Sequence, residues 1–148
     1  MILPPNERRI TVRLMAYWEK LRAGRQMPRE QDIDPDAIDD LWDYCFMLNV
    51  KDMGKETYQY TYLGPEIKKA YQGGLSEGDT GGLVSPNAER MADCYMEIIH
   101  SKAPVIDEGE FRNVRGEMVK YRQCLLPLGE GGVVNAVFGG MRYKIFTA

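Results

Sequence analysis

The chain has 148 residues, of which 44% are hydrophobic and 28% charged, a composition typical of one folded domain with a sizeable core. Its formal net charge of −3 and its lack of a basic block predict no nucleic-acid surface. No apolar run approaches the ~20 residues that cross a bilayer, and no apolar segment follows the charges near the start, so we expect no membrane contact and no signal peptide. The three cysteines form no Cys-x-x-Cys pair, which favours free, buried thiols in a reducing cytoplasm.

An amphipathic helix is predicted over residues 8–23, because five large side chains recur there at helical spacing and Gly24 is placed to end it. We leave two interpretations of this apolar stripe open. It packs within its own chain, on a sheet face, or it pairs with its copy in a dimer. The five side chains are Ile10, Leu14, Tyr17, Trp18 and Leu21.

A second helix is predicted to begin at Asp34-Pro35, after a polar connector over residues 24–32. Asp34 can cap free backbone N–H groups, and proline is tolerated at the first helical position. Three further acids follow closely, where the helix dipole favours negative charge. We therefore interpret this acidic cluster as a capped helix start and predict no metal site.

Two strands and a short helix come next. Apolar, β-prone residues predict a strand over residues 44–50. Period-two alternation predicts a second strand over residues 58–63, with Tyr60 and Tyr62 on one face. Residues 65–71, which open with a proline, are typical of a short helix.

The middle of the chain is rich in glycine between residues 72 and 84, and it has no Gly-Lys-Ser/Thr motif. This composition predicts a mobile connector and not a phosphate-binding loop. A long helix is then predicted over residues 85–101, where Met91, Tyr95 and Ile98 lie within a narrow arc. Three more strands complete the pattern. They are residues 105–114, residues 117–128 and a fifth strand that ends near Phe146.

A Gly-rich loop over residues 129–132 joins the last two strands in a predicted hairpin. With Leu128 opposite Val133, one hairpin face is apolar except for Gln123, and we take it as the core face. The other face is polar at one end and apolar at the other, so another element is expected to cover part of it. The predicted core face carries Val119, Tyr121, Gln123, Leu125, Val134, Ala136 and Phe138.

Five antiparallel strands, with helices grouped between the second and the third, predict an α+β fold. Several short motifs along the chain are typical of one family: Tyr17-Trp18, Leu21-Arg22, Gly24-Arg25, Met27-Pro28-Arg29, Asp32-Ile33-Asp34-Pro35, Ile38, Tyr62-Leu63-Gly64, Tyr121-Arg122, Leu126-Pro127-Leu128 and Gly139-Gly140-Met141. In these motifs the chain resembles, over nearly its whole length, a proteobacterial family of small stand-alone PAS-domain proteins.

The resemblance implies a PAS fold, which is a five-stranded antiparallel sheet with helices over one face, enclosing a small pocket, and here an N-terminal helical extension. Residues 1–34 would then be an N-terminal helix and connector that dimerises or caps, and residues 35–148 the PAS domain. PAS domains sense small molecules, light or redox state, or they mediate dimerisation, frequently through an N-terminal helix.

The resemblance also implies which cofactors to consider. Haem-binding PAS domains use a histidine on the long helix, and His100 is the only histidine here. Its helical phase is roughly 180° from that of Met91, away from the core arc. Flavin photochemistry in light-sensing relatives needs a cysteine between asparagine and arginine, a context that none of the three cysteines has. We therefore predict neither haem nor flavin, and no other cofactor.

A small enzyme on a cone-like α+β fold would need an inward carboxylate or histidine as its base. The polar groups on the predicted core face are tyrosines and Gln123, which suit hydrogen bonding to a neutral or weakly polar ligand better than proton abstraction. We therefore predict that the chain is not an enzyme, and keep the small enzyme as a second alternative.

The predicted function is that of a sensory domain that binds an unknown small molecule between the sheet and the long helix. It would act as a homodimer through the N-terminal helix and signal through an unknown partner protein. The first alternative is an interaction or dimerisation module whose core is filled by the same side chains. The candidate ligand contacts are Tyr60, Tyr62, Tyr95, Ile98, Phe111, Gln123 and Phe138.

Overall fold

Five antiparallel strands form one sheet in the spatial order β2-β1-β5-β4-β3, as the sequence predicted for an α+β fold. The computed structural model describes residues 9–52, 56–73 and 88–146, and their side chains except those of residues 51, 52, 56–58 and 88–92. None of the helices within these ranges is long and apolar enough to cross a membrane. The elements are α1 (Ile10–Arg22), β1 (Cys45–Asp52), β2 (Glu56–Leu63), α2 (Pro65–Tyr71), α3 (Ala88–Ser101), β3 (Val105–Arg112), β4 (Met118–Glu130) and β5 (Val133–Phe146).

The predicted second helix is wrong, because two short 3₁₀ segments, Pro35–Ile38 and Trp42–Tyr44, occupy this stretch instead. The cap itself is confirmed, since the Asp34 carboxylate accepts a hydrogen bond from the backbone N–H of Asp36 at 3.1 Å. Aspartates favour caps and turns over helix interiors, which explains why this acid-rich stretch stops after single turns. The predicted Gly-rich connector and the start of the long helix fall largely on residues 74–87, outside the described residues.

The register of the β4–β5 hairpin differs from the predicted one. Gly131 and Gly132 alone form the turn, with φ of +64° and +78°, a conformation that glycine adopts readily. A bulge at Asn135 lies just beyond this turn and places Leu128 opposite Ala136, not Val133. Because side chains alternate along a strand, this odd shift moves part of β5 to the other face of the sheet.

The two faces of the sheet therefore carry different residues from those predicted. Tyr121 and Gln123 lie on one face, which we call the inner face, whereas Phe138 pairs with Leu126 on the opposite, outer face. The predicted core face had grouped Phe138 and Ala136 with Gln123, and the structure separates them. The inner face is the one on which α3 packs, and α3 contacts β3 and β4.

Helix α1 covers part of the outer face, as one of the two interpretations of its stripe anticipated. It contacts β4 and β5, and it buries Ile10, Leu14 and Trp18. The indole N–H of Trp18 donates a hydrogen bond of 2.8 Å to the backbone carbonyl of Pro127. The apolar stripe is thus part of the core of its own chain.

Two adjacent glycines on β5 make room for what packs on each face. A Cβ on Gly140 would lie 2.4 Å from Cδ1 of Leu14, so α1 could not approach the sheet as closely. A Cβ on Gly139 would lie 2.3 Å from the Phe46 ring and 2.6 Å from the backbone oxygen of Cys124. The pair therefore permits close packing on both sides of the central strand.

Gly139→Ala should lower the free energy of unfolding by about 2 kcal/mol or more, because its new methyl group meets a backbone oxygen that cannot move away cheaply. Urea denaturation followed by circular dichroism measures this change. Asn135→Ala, at an exposed position of the same strand, is the control and should stay within about 0.5 kcal/mol of the parent. Equal stability of all three proteins would contradict the packing described.

Leu14→Ala should cost about 2–5 kcal/mol, because it leaves a cavity between α1 and the sheet where the parent side chain is fully buried. The control is Lys20→Ala, at an exposed position of the same helix, which should be nearly neutral. A negligible effect of Leu14→Ala would show that α1 does not pack on the sheet in solution.

Candidate functional site

Aromatic side chains line the interior between the inner face and α3. The Tyr71 and Phe111 rings stack with centroids 4.6 Å apart, and Phe111 lies 5.9 Å from Tyr121. Phe46 meets Tyr60 edge to face at 5.9 Å. Such ring pairs add stability beyond the apolar area they bury, and they also offer flat surfaces on which a planar ligand can stack.

A pair of tyrosine hydroxyls joins α3 to the sheet across this interior. The hydroxyl oxygens of Tyr60 and Tyr95 are 3.0 Å apart, and both residues are buried. Burial, followed by the neighbouring Tyr60, raises the pKa of Tyr95 well above that of a free tyrosine. Tyr95 therefore stays neutral at physiological pH, and its hydroxyl can both donate and accept a hydrogen bond.

A buried carboxylate lies on the same face. Asp107, which is 6% exposed, sits opposite Gln123 in the β3–β4 ladder. Its Oδ2 accepts hydrogen bonds of 2.9 Å from the Tyr121 hydroxyl and from the Gln123 side-chain amide. The interior thus contains a hydrogen-bonded carboxylate, amide and phenol, a polar group of unlike donors and acceptors.

Asp107 corrects the expectation that the core face offers only tyrosines and a glutamine. Sequence reasoning missed it because aspartate is rarely buried. A signal was nevertheless present, since Asp107 alternates in phase with Val105 and Phe111, two of the three bulky apolar residues of β3.

Asn113 is a second residue that the sequence analysis missed. It links α2 to the β3–β4 turn at the edge of this interior. Its side-chain amide donates to the backbone carbonyl of Ala70 at 3.1 Å. Its Oδ1 accepts from the backbone N–H groups of Arg115 and Glu117. This single side chain therefore holds the end of α2 against the β3–β4 turn.

The structure brings five of the seven predicted ligand contacts together. All five side chains are buried, either on the inner face of the sheet or on α3. They are Tyr60, Tyr95, Ile98, Phe111 and Gln123.

The other two, Tyr62 and Phe138, lie on the outer face instead. Tyr62 stacks on Trp42 with centroids 4.4 Å apart, and its hydroxyl donates to the backbone carbonyl of Trp42 at 2.9 Å. Phe138 lies 6.2 Å from the same Trp42 ring. Tyr60 and Tyr62 face opposite sides because a bulge at Thr61 breaks the alternation of β2.

His100 is exposed on α3, in agreement with its predicted phase. Cys45, Cys94 and Cys124 are free and buried, as predicted. Burial raises the pKa of Cys124 to about 12, so this thiol is a poor nucleophile. Among the residues that the structure describes, no group of three or more His, Cys, Asp or Glu side chains could hold a metal ion.

Comparison with solved structures finds similar folds at low sequence identity. A PAS domain from Colwellia psychrerythraea is 13% identical, with 74% of this chain and 95% of that one covered and a TM-score of 0.49. A sensory box histidine kinase/response regulator from Burkholderia thailandensis is 10% identical, with 74% and 84% covered and a TM-score of 0.48. A point variant of Vivid is 15% identical, with 97% and 99% covered and a TM-score of 0.50.

Comparison with curated proteins gave no match. A family model described as a PAS domain matches residues 7–142, nearly the whole chain. The strand order, the helices between the second and third strands and this match agree, and the chain therefore belongs to the PAS domain family.

Proposed function

We propose that this chain is a non-enzymatic sensory domain that holds a small, neutral or weakly polar ligand between the inner face and α3. The observation that carries the proposal is the polar group formed by Asp107, Tyr121 and Gln123, beside the hydroxyl pair of Tyr60 and Tyr95. Taking a carboxyl group out of water costs free energy that its hydrogen bonds must offset, and well-packed apolar side chains often fill such a space with no loss of stability. The presence of the polar group supports recognition of a ligand that offers matching donors and acceptors.

A signalling role without catalysis fits the chemistry of these groups. Among the described residues, Asp107 is the only buried charged side chain, and its Oδ2 already accepts two hydrogen bonds. The single histidine of the chain is exposed and so does not join it as an acid–base partner. Proton transfer to a bound molecule needs a positioned pair of groups with suitable pKa values, and this arrangement favours binding instead.

An interaction module with a filled core is the second candidate. The close stacking of Tyr71 on Phe111, and the contact of Phe111 with Tyr121, favours it, because these rings occupy much of the interior themselves. In that case the polar group would specify the packing of α3, and the chain would act only through its surface.

Signal output in this proposal passes to a partner protein, in a reducing cytoplasm that suits the three free thiols. A ligand that favours one position of α3 would shift the population of arrangements of α3 and the sheet. Since α1 packs on the opposite face of β4, which α3 also contacts, it would respond to that shift.

The proposal includes a homodimer through the N-terminal helix. Ile10, Leu14 and Trp18 of α1 are buried in their own chain, so the contact would use the other side of the helix, where Tyr17 is only half-buried. A groove of about 500 Å³ lies there, lined by Ala16, Tyr17 and Lys20 of α1 and by Ala37 and Ile38.

Screening small molecules by thermal shift should identify compounds that raise the melting temperature with concentration, because they bind only the folded state. At about a hundred times the dissociation constant, the gain of ~2.7 kcal/mol corresponds to a rise of roughly 5–10 °C for a domain of this size. A library of neutral and weakly polar metabolites, including planar aromatic compounds, is the appropriate set. No response from any compound would favour the module with a filled core.

Tyr60→Phe and Tyr62→Phe form a matched pair for locating the ligand. Each removes one tyrosine hydroxyl from the same strand, but the two side chains lie on opposite faces of the sheet. Tyr60→Phe should weaken the response to a compound found in the screen, whereas Tyr62→Phe should leave it unchanged. Equal effects on the response would place the compound outside the interior.

Ala16→Arg should convert the dimer into a monomer, because it places a long charged side chain in the groove of α1. Sedimentation velocity measures the change, and a circular dichroism spectrum like that of the parent shows that the fold is intact. A parent protein that sediments as a monomer, or a variant that remains a dimer, would contradict a contact through this side of the helix.

A further inference from the structure

Helix α1 leaves the far half of the outer face uncovered, and four exposed cations lie there. Lys120 and Arg122 belong to β4, and Arg142 and Lys144 belong to β5. We call these four residues the cationic half-face. This cluster of positive charges contrasts with the formal net charge of the whole chain, which is −3.

The register of the sheet places residues of like charge directly opposite one another in the cationic half-face. Lys120 lies directly opposite Lys144, and Arg122 lies directly opposite Arg142. Like charges in directly opposite cross-strand positions destabilise a sheet. Two such pairs in succession therefore lower the stability of the isolated chain, and an anionic occupant would relieve their repulsion.

Contacts within the chain only partly offset this repulsion. Arg122 forms an ion pair with Glu108 of β3, and Glu110 of β3 lies directly opposite Lys120. The Lys120 ammonium lies 5.1 Å from the centre of the Phe146 ring, and the Arg142 guanidinium lies 3.9 Å from that of Tyr44. These rings hold the cations over the sheet without neutralising them, so the surface keeps a fixed positive charge.

Apolar side chains flank the cations. Ile106 and Phe146 are each 46% exposed, and their register positions lie on the two sides of the cationic rows. A depression of about 570 Å³ runs over this area. An exposed aromatic ring beside arginines is a combination that is enriched in protein–protein contacts.

We propose that the cationic half-face binds an acidic segment of a partner protein, which carries apolar side chains among its carboxylates. The carboxylates would lie over the opposed cations of β4 and β5, and the apolar side chains would contact Ile106 and Phe146. This inference rests on the proposed function, because it names the chemistry of the partner that receives the signal.

The neighbouring strand argues for a protein segment over a membrane or a nucleic acid. Glu108 and Glu110 of β3 lie beside Arg122 and Lys120 on the same face. A broad anionic surface would meet these glutamates together with the cations, and the repulsion would offset part of the attraction. Of these two glutamates, Glu108 lines the depression, and it already forms an ion pair with Arg122. A narrow segment that follows β4 and β5 therefore meets less negative charge than a broad surface would.

Fluorescence anisotropy with a short labelled peptide of alternating glutamate and leucine tests this proposal. The intact protein should bind it, and should not bind the matched peptide in which lysine replaces glutamate. Combining Lys120→Gln with Lys144→Gln should weaken binding about tenfold and reduce its dependence on salt. The control combines Lys69→Gln with Arg115→Gln, which removes the same charge from exposed positions elsewhere and should bind like the parent.

The melting temperature of the Lys120 and Lys144 double variant should rise at low salt, since the substitution removes one opposed pair of like charges. Its thermal response to an interior ligand should match that of the parent, which separates a failure of this surface from a failure of the sensory site. Equal peptide binding by parent and double variant would overturn the proposal. So would self-association of the parent, or its binding to phosphatidylserine vesicles, if the double variant lost that property while peptide binding was absent.

Discussion

At Gly139 and Gly140, both faces of β5 are packed so closely that they limit where α1 and the Phe46 ring can lie. The ring of Phe46 fills the space beside one glycine, and Leu14 of α1 fills the space beside the other. Closely packed interiors transmit a displacement because they have few voids in which to absorb it. At this point on the central strand, the interior under α3 and the outer layer under α1 are separated by the thickness of one sheet.

In this arrangement, the hydrogen bonds of the polar group in the interior affect the position of α3. Asp107, Tyr121 and Gln123 all belong to β3 and β4, and the hydroxyl of Tyr60 connects β2 to α3 through Tyr95. A ligand that competes for any of these hydrogen bonds changes how α3 is held on the sheet. Hydrogen bonds have directional requirements that apolar contacts lack, so such a change favours discrete positions of the helix.

Most helices and strands were predictable from the sequence, whereas the face of the sheet on which each side chain lies was not. The bounds of α2 and the approximate spans of α1 and all five strands follow from periodicity, proline and glycine. Two bulges, at Thr61 and Asn135, add single residues that alternation cannot reveal, and each reverses the facing of the residues beyond it. Tyr62 and Phe138 were therefore assigned to the wrong side, and Asp107 was overlooked although its phase on β3 was that of a buried position.

The same register explains why the outer face is divided. Where Cys124 and Leu126 of β4 lie beside Gly140 and Phe138 of β5, the face is apolar and α1 covers it. Beyond that point both strands turn to cations, and covering them with the chain's own apolar helix would bury charge without a partner. The sheet thus has one half that must be closed for the chain to fold and one half that must stay open to water or to an anionic partner. In the proposed relay, a conformational change under α1 would reach a neighbouring surface that is open to a partner.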